Sequence, residues 1–159
     1  MKKLILSCIC AIAAVFYASA INPFVEFQPI QVGDGWTAFN VQAGVTAKVH
    51  PSIAVGGGIG ITEKWNFNEA PLIPIFARGE YSTSFRGFKP FVSFDLGYEV
   101  NTNKGESNAI HKSGAVLVNP MIGLKFNSWY AGIGYLGHCW TAKGDSSTST
   151  FNVKIGYNF

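Results

Sequence analysis

Charged residues are unusually few in this sequence. Only 13% of its 159 residues are Asp, Glu, Lys or Arg, whereas about 25% is usual for soluble domains. Leu, Glu, Gln and Lys, which favour helices, are also few, so a coiled coil is excluded. The small share of charged residues also excludes a basic nucleic-acid-binding module, and the 14% of aromatic residues excludes a disordered tail. The length allows one domain.

The N-terminus has the pattern of a secretory signal. Two lysines supply a positive start, residues 4–16 form an apolar stretch, and residues 18–20 read Ala-Ser-Ala, a small-residue cleavage site. As a helix the apolar stretch would reach only about 20 Å, which is short of the roughly 30 Å hydrocarbon core of a bilayer. We therefore expect a cleaved Sec-type signal at residues 1–20 and one domain at 21–159.

Cysteine is also scarce. Cys8 and Cys10 lie within the expected signal, and neither stands in the small-residue context of a lipidation site. Their removal leaves Cys139 as the only thiol. One thiol forms no intrachain disulfide, so no covalent cross-link is expected to stabilise the domain.

Apolar and polar residues alternate over long segments, and no second run is apolar enough for a transmembrane helix. In residues 92–100 one face has apolar residues and the other has polar or small ones: Val92, Phe94, Leu96, Tyr98 and Val100 against Ser93, Asp95, Gly97 and Glu99. The same alternation occupies 37–49, 116–126 and 151–159. A period of two cannot be a helical face, so each segment is predicted to be a strand.

Turn-forming residues delimit four further strands, at 23–32, 53–65, 72–84 and 129–142. Pro29 weakens the expectation for the first strand, because proline is rare inside sheets. The phase of the seventh strand, whose side chains could face either way, stays open. The total is eight strands and no helix.

Alternation does not say which face of a barrel points inward. A soluble, secreted ligand-binding barrel would place apolar residues inside, whereas an outer-membrane barrel places them against lipid. The polar face carries small residues, which suit a narrow interior: Gly44, Gly56, Gly58, Gly60, Gly97, Gly123 and Gly156. The same face carries the charged residues of the strands: Glu26, Lys48, Lys64, Arg78, Glu80, Asp95, Glu99, Lys125 and Lys154. The sequence therefore predicts an all-β, eight-stranded antiparallel up-and-down transmembrane β-barrel with these residues as a polar network in its lumen.

The last strand carries the most specific resemblance to a known family. It has apolar or aromatic residues at alternate positions and a final aromatic: Phe151, Val153, Ile155, Tyr157 and Phe159. Together with the residue patterns of segments 121–126 and 129–135, this strand resembles the small outer-membrane β-barrel family of Gram-negative bacteria, the OmpA- and OmpX-like group. It resembles the Bacteroidetes members of that family most. The resemblance implies that these five residues form a signal for the barrel assembly machinery. It also implies a monomer in the outer membrane, in contact with lipid and lipopolysaccharide.

The family topology implies that both termini lie in the periplasm. The periplasmic turns are then 50–52, 85–89 and 127–128, and the outer loops are 33–35, 66–71, 103–114 and 143–148. The loop at 103–114 is the longest and is the expected contact for a surface partner. Aromatic residues near strand ends fit interfacial girdles, with lumen filling as the alternative: Trp36, Trp65, Tyr81, Trp129, Tyr130, Trp140, Tyr157 and Phe159.

The interior of an eight-stranded barrel is only wide enough for side chains, so a general solute pore is not expected. We expect a structural or surface-interaction role. One alternative is an outer-membrane enzyme that modifies lipid, similar to lipid A deacylases, and the other is the secreted soluble barrel. A deacylase resemblance would need a His-x-Ser pattern, but Trp140 occupies the serine position after His138.

His138 and Cys139 are adjacent on a strand, so they point to opposite faces and cannot readily form an activated thiol pair. We expect a histidine at the rim near a loop and a cysteine packed as a small apolar group. His50 and His111 lack metal-ligand spacing. No catalytic residue, metal ligand or cofactor is expected.

Overall fold

The computed structural model describes residues 21–32, 35–65, 71–102, 114–140 and 147–159. The predicted signal and most of the four predicted outer loops lie outside these ranges. Within them, eight strands follow one another in antiparallel order and close into a barrel. The strands are β1 (Ile21–Val32), β2 (Gly35–His50), β3 (Ile53–Lys64), β4 (Leu72–Ser82), β5 (Lys89–Asn101), β6 (Ala115–Phe126), β7 (Trp129–Trp140) and β8 (Thr148–Asn158). The predicted fold class is confirmed.

No helix able to cross a membrane occurs in the described part of the chain.

The first strand pairs fully despite its proline. Every residue of β1 has a partner in β2. On its other side β1 pairs with β8 from Phe24 to Ile30, with a gap between Phe27 and Ile30. Pro29 lies in this gap, and its missing N–H therefore interrupts the β8 ladder without breaking the β2 ladder. The pairing of β1 with β8 closes the ring.

Three short connections lie at the end of the barrel that holds residue 21 and the C-terminus, which we call the turn end. Two of them, residues 51–52 and 127–128, contain only two residues. The third, 83–88, is a small hairpin in which Phe85 and Phe88 pair around Arg86 and Gly87, whose φ angles are 45° and 95°. Two consecutive positive φ angles are typical of the turns that join twisted strands. The opposite end, where the longer loops attach, is called the loop end.

The two faces of the strands separate as the alternation predicts. Large apolar side chains point outward and are exposed, as at Val41, Ile75 and Leu96. Charged and amide side chains point inward and are buried, as at Gln42 and Asp95. The predicted orientation of an outer-membrane barrel, with apolar residues outside, is the one observed.

The structure settles the phase of β7. Trp129 and Ile133 are exposed on the outer face, whereas Tyr130, Leu136 and His138 are buried inside. The assignment of Tyr130 to an interfacial girdle is therefore wrong. Its ring fills the lumen because the inward Gly156 on neighbouring β8 leaves space for it.

Aromatic residues on the outer face gather near both ends of the barrel. Near the loop end the rings of Phe39 and Trp65 lie 4.7 Å apart, and Phe27 stacks on Phe39. At the turn end Tyr157 contacts Trp129 and Phe159, with centroids 5.0 and 5.2 Å apart. Two such groups are typical of the aromatic girdles of membrane barrels.

The predicted girdle residues Trp65 and Tyr81 are both exposed on the outside. The side chains of Trp36 and Trp140 lie outside the described part of the structure.

The outward face can be tested with two arginine substitutions in one strand. Val41 and Val49 are both on the outer face of β2 and are exposed to the same extent, 42% and 44%, but Val41 lies near the middle of the strand. In a bilayer Val41→Arg should lower the free energy of unfolding by about 2–4 kcal/mol and Val49→Arg by at most about 1 kcal/mol, because the cost of a charge depends on depth. Urea unfolding of the protein refolded in lipid vesicles measures both. Equal costs would contradict a lipid-facing band.

Candidate functional site: the barrel interior

A buried arginine occupies the centre of the lumen. Arg78 on β4 lies between Glu26 on β1 and Asp95 on β5. Its Nε and Nη2 atoms donate to Asp95 Oδ1 and Oδ2 at 2.6 and 2.7 Å. Its Nη2 also donates to Glu26 Oε2 at 2.8 Å, and its Nη1 donates to Glu26 Oε1. The guanidinium is thus bidentate towards two carboxylates, the strongest geometry for such pairs.

Two further side chains complete this cluster. Lys154 Nζ on β8 lies 3.1 Å from Glu26 Oε2 and 3.2 Å from Asp95 Oδ2. The Tyr130 hydroxyl donates to Glu26 Oε1 at 2.5 Å. Two cations therefore balance two carboxylates in a place without access to solvent, which is the condition for keeping charges buried. We call Glu26, Arg78, Asp95, Lys154 and Tyr130 the ionic core.

Aromatic rings pack around the ionic core, and glycines make room for them. The Arg78 guanidinium lies 4.6 and 5.2 Å from the ring centroids of Phe24 and Phe76. A Cβ atom at Gly44 would lie 2.6 Å from Phe24 Cζ, and one at Gly58 would lie 2.8 Å from Phe76 Cζ. Larger residues at these glycines would collide with the rings.

Inward glycines also make room for aromatic rings nearer the turn end. A Cβ atom at Gly123 would lie 2.6 Å from the Phe91 ring, and one at Gly156 would lie 2.2 Å from the Tyr130 ring. The small inward residues read from the sequence are therefore the space into which the large inward residues fit.

An amide layer lies next to the ionic core. Gln28 Nε2 donates to Gln42 Oε1 at 2.9 Å, and Asn152 Nδ2 donates to Gln28 Oε1 at 3.0 Å. Asn119 also approaches Gln28 Oε1, at 3.4 Å. Asn40 is fully buried beside this layer, and neither of its amide atoms has a hydrogen-bond partner among the described residues.

Near the loop end the lumen contains a histidine and a carboxylate. Glu99 Oε1 accepts a hydrogen bond from Thr62 Oγ1 at 2.9 Å, and Glu99 Oε2 lies 2.7 Å from His138 Nε2. An apolar cluster of Ile30, Ala38, Leu117 and Leu136 packs in the same interior.

His138 lies near the loop end of β7, as expected, but its side chain faces the lumen and is only 8% exposed. Cys139 is exposed on the opposite face. Of the three residues Thr62, Glu99 and His138, Glu99 lies between the other two. A hydroxyl nucleophile needs the histidine next to it, so this order does not activate Thr62.

A second ion pair lies at the turn end. Lys125 Nζ and Glu80 Oε1 are 2.5 Å apart. The Lys125 ammonium is 5.3 Å from the ring centroid of Phe91 and 5.6 Å from that of Tyr130. Of the remaining predicted lumen charges, Lys48 is exposed at the turn end, and Lys64 is half-buried at the loop end of β3. In the described part of the structure, the predicted lumen charges thus occupy successive levels of the barrel, with the ionic core in the middle.

The inward aromatic residues Phe24, Phe76 and Phe91 were missed from the sequence. Each stands two positions before a polar inward residue, namely Glu26, Arg78 or Ser93. The period of two would have placed them inside. Among the described residues, no group of three or more His, Cys, Asp and Glu could hold a metal ion.

Loss of Arg78 should be far more costly than loss of the lysine at the turn end. Arg78→Met leaves two buried carboxylates with one cation and should lower the free energy of unfolding by about 3–5 kcal/mol. Lys125→Met removes the same charge from a pair that water reaches and should cost about 1 kcal/mol. Urea unfolding of the two variants in lipid vesicles compares their losses in free energy of unfolding. Similar losses would show that the ionic core does not govern stability.

Solved structures show which known proteins share this fold. The N-terminal β-barrel domain of Pseudomonas aeruginosa OprF has a TM-score of 0.60 at 14% identity, with 87% of this chain and 96% of that chain covered. The outer membrane enzyme PagL has a TM-score of 0.60 at 11% identity, with 86% and 98% covered. Neisserial surface protein A has a TM-score of 0.51 at 10% identity, with 87% and 96% covered. No family model and no curated protein matches the sequence. The chain therefore has the fold of small outer-membrane barrels.

Proposed function

We propose that this chain is a small integral outer-membrane barrel of a Gram-negative bacterium with a structural or surface-interaction role. One observation carries the proposal: the outside of the barrel is apolar, as at Ile59, Leu96 and Ile133, and the charges of the ionic core are inside. In water so large an apolar surface would drive association, whereas lipid requires it. A secreted soluble barrel would need the opposite arrangement.

The proposed location follows from the signal at residues 1–20 and from the shared fold. After Sec-type cleavage the chain would be inserted by the barrel assembly machinery, with lipid and lipopolysaccharide around it. The turn end would then face the periplasm. Residues 103–114 would form the largest surface loop, suited to a modest contact of a monomer with a surface partner.

The packing of the interior supports a barrel that is not a general solute pore. The ionic core, the amide layer and the apolar cluster succeed one another across the lumen. A solute would have to break the pairs around Arg78 and displace the rings of Phe24 and Phe76.

An enzyme is the alternative, because the outer membrane enzyme PagL shares the fold. A lipid-modifying enzyme of the deacylase kind needs a nucleophile and a histidine that reach lipid. Here His138 faces the lumen beside Glu99, and Cys139 faces outward. We propose a non-enzymatic role on this ground.

The membrane proposal is tested by fractionation and gel mobility. The protein should be found in the outer-membrane fraction and should migrate differently in SDS before and after boiling, because a closed barrel resists SDS when cold. A protein in the soluble fraction with the same mobility in both lanes would overturn the proposal.

The closed lumen is tested by conductance. The protein refolded into a planar bilayer should show no steady large-conductance channel, since side chains fill the interior. Reproducible ion-selective steps that depend on the folded barrel would contradict a filled lumen.

The proposed role of the last strand as an assembly signal can be tested by substituting its terminal aromatic residue. Phe159 is 73% exposed at the turn end, and its N–H donates to the Pro23 carbonyl oxygen at 3.0 Å. If Phe151, Val153, Ile155, Tyr157 and Phe159 are read by the assembly machinery, Phe159→Asp should strongly lower the amount of heat-modifiable protein in cells. Phe159→Trp should be tolerated.

Phe126 provides the matched control, because it is the last residue of β6, lies on the same face at the same end and is 63% exposed. Phe126→Asp makes the same chemical change away from the C-terminus and should have a small effect on assembly. Equal defects in the two Asp variants would leave the last strand with a structural role alone.

A further inference from the structure

A cavity opens at the turn end of the barrel and has no part in the ionic core. Its volume is about 350 Å³, within the range of about 300–1,000 Å³ that is usual for small-molecule sites. The connections 51–52 and 83–88 contribute to its wall, together with the ends of β1 and β8. The ring of Phe91 contacts Tyr130 edge-on, and the hydroxyl of Tyr130 reaches the ionic core. The core therefore lies beyond these rings and not in the cavity.

The charged residues that line the cavity are mostly basic. Lys48, Lys89 and Lys125 line it, and Glu80 is the only acidic residue among the described lining residues. Glu80 is engaged by Lys125. The cavity therefore has a net positive charge, which favours an anionic ligand.

Two of these lysines are placed against each other. Lys89 on β5 stands directly opposite Lys125 on β6 in the strand register. Like charges in directly opposed positions destabilise a sheet. Lys125 is held by Glu80, whereas Lys89 has no ion pair among the described residues. A bound anion would remove this repulsion.

The rest of the wall has groups suited to an oxyanion. Ser82, Thr83 and Ser84 bring hydroxyl groups, and Asn22 and Asn127 bring amides. Hydroxyl and amide N–H groups donate to phosphate oxygens, and lysine binds phosphate as a point charge.

We infer that this cavity, which we call the mouth site, binds a small phosphate-bearing ligand through Lys48, Lys89 and Lys125. The ligand would be either a soluble phosphate compound or the headgroup of a phospholipid, which present the same chemistry. The inference rests on the geometry of the turn end and does not depend on the proposed role in the outer membrane.

Binding is tested on the refolded chain in uncharged detergent micelles, with pyrophosphate as the probe at low ionic strength. Calorimetric titration should show saturable binding. Lys89→Gln should weaken it about tenfold, as expected for loss of one charge-assisted contact. Lys64→Gln removes the same charge at the loop end and should change the affinity less than twofold. No saturable binding, or equal weakening by both variants, would overturn the mouth site.

Stability gives a second readout that does not require strong binding. Without phosphate, Lys89→Gln should unfold at the same or a higher urea concentration than the unaltered protein, because the opposed charges are gone. At the same concentration, pyrophosphate should then stabilise the unaltered protein more than the variant. Loss of stability in the variant without ligand would show that Lys89 serves the fold, and the inference would be wrong.

The source of the phosphate is resolved by competition. Micelles containing phosphatidic acid should displace pyrophosphate if the ligand is a headgroup, with phosphatidylcholine as the control. Displacement by phosphatidic acid alone assigns a lipid, and no displacement assigns a soluble compound; both outcomes support the mouth site. Displacement by equimolar chloride would show general screening and would overturn it.

Discussion

The pairing of β1 with β8 is the constraint on which the rest of the structure depends. Once these strands meet, each strand has a neighbour on both sides, and no sheet edge is left among the described strands. A closed ring is also the only way for strands to satisfy their backbone groups in lipid. Closure gives every residue one of two environments, inside or outside. The tolerance of the ring for Pro29 shows that a local gap in one ladder does not open it.

Closure also fixes the interior volume, and this explains the side chains found there. Eight strands leave room for side chains only, so each large inward ring faces an inward glycine, as Phe24 faces Gly44. Charges inside must be paired, and the ionic core draws its members from β1, β4, β5, β7 and β8. A slip of one residue in any of these strands would turn a charge or the Tyr130 hydroxyl towards the outside. The ionic core therefore opposes alternative registers.

The period of two predicted eight strands and the correct face for most of them, because it depends only on neighbouring residues. Tyr130 was placed wrongly because β7 has glycine and large residues on both faces, so size did not separate them. The partners of Arg78 could not be predicted from the sequence. Glu26 is 52 residues away from it, on a strand with which β4 does not pair, and only the curvature of the closed sheet brings them together. The contact between His138 and Glu99 could not be predicted either, because the two residues lie on strands that do not pair.

The two ends of the barrel interior differ in packing and in charge, and this difference limits the end from which a ligand could enter. Towards the loop end, the described interior holds the apolar cluster and the close contact of Glu99 with His138. Towards the turn end it widens into a cavity with opposed lysines. Lys89 is exposed at the turn end, where its charge opposes that of Lys125, whereas the buried charges around Arg78 and Lys154 are paired. The same chain thus satisfies its buried charges in the middle and leaves positive charge in excess where the cavity opens, which is the arrangement of a site that an anion completes from the turn end.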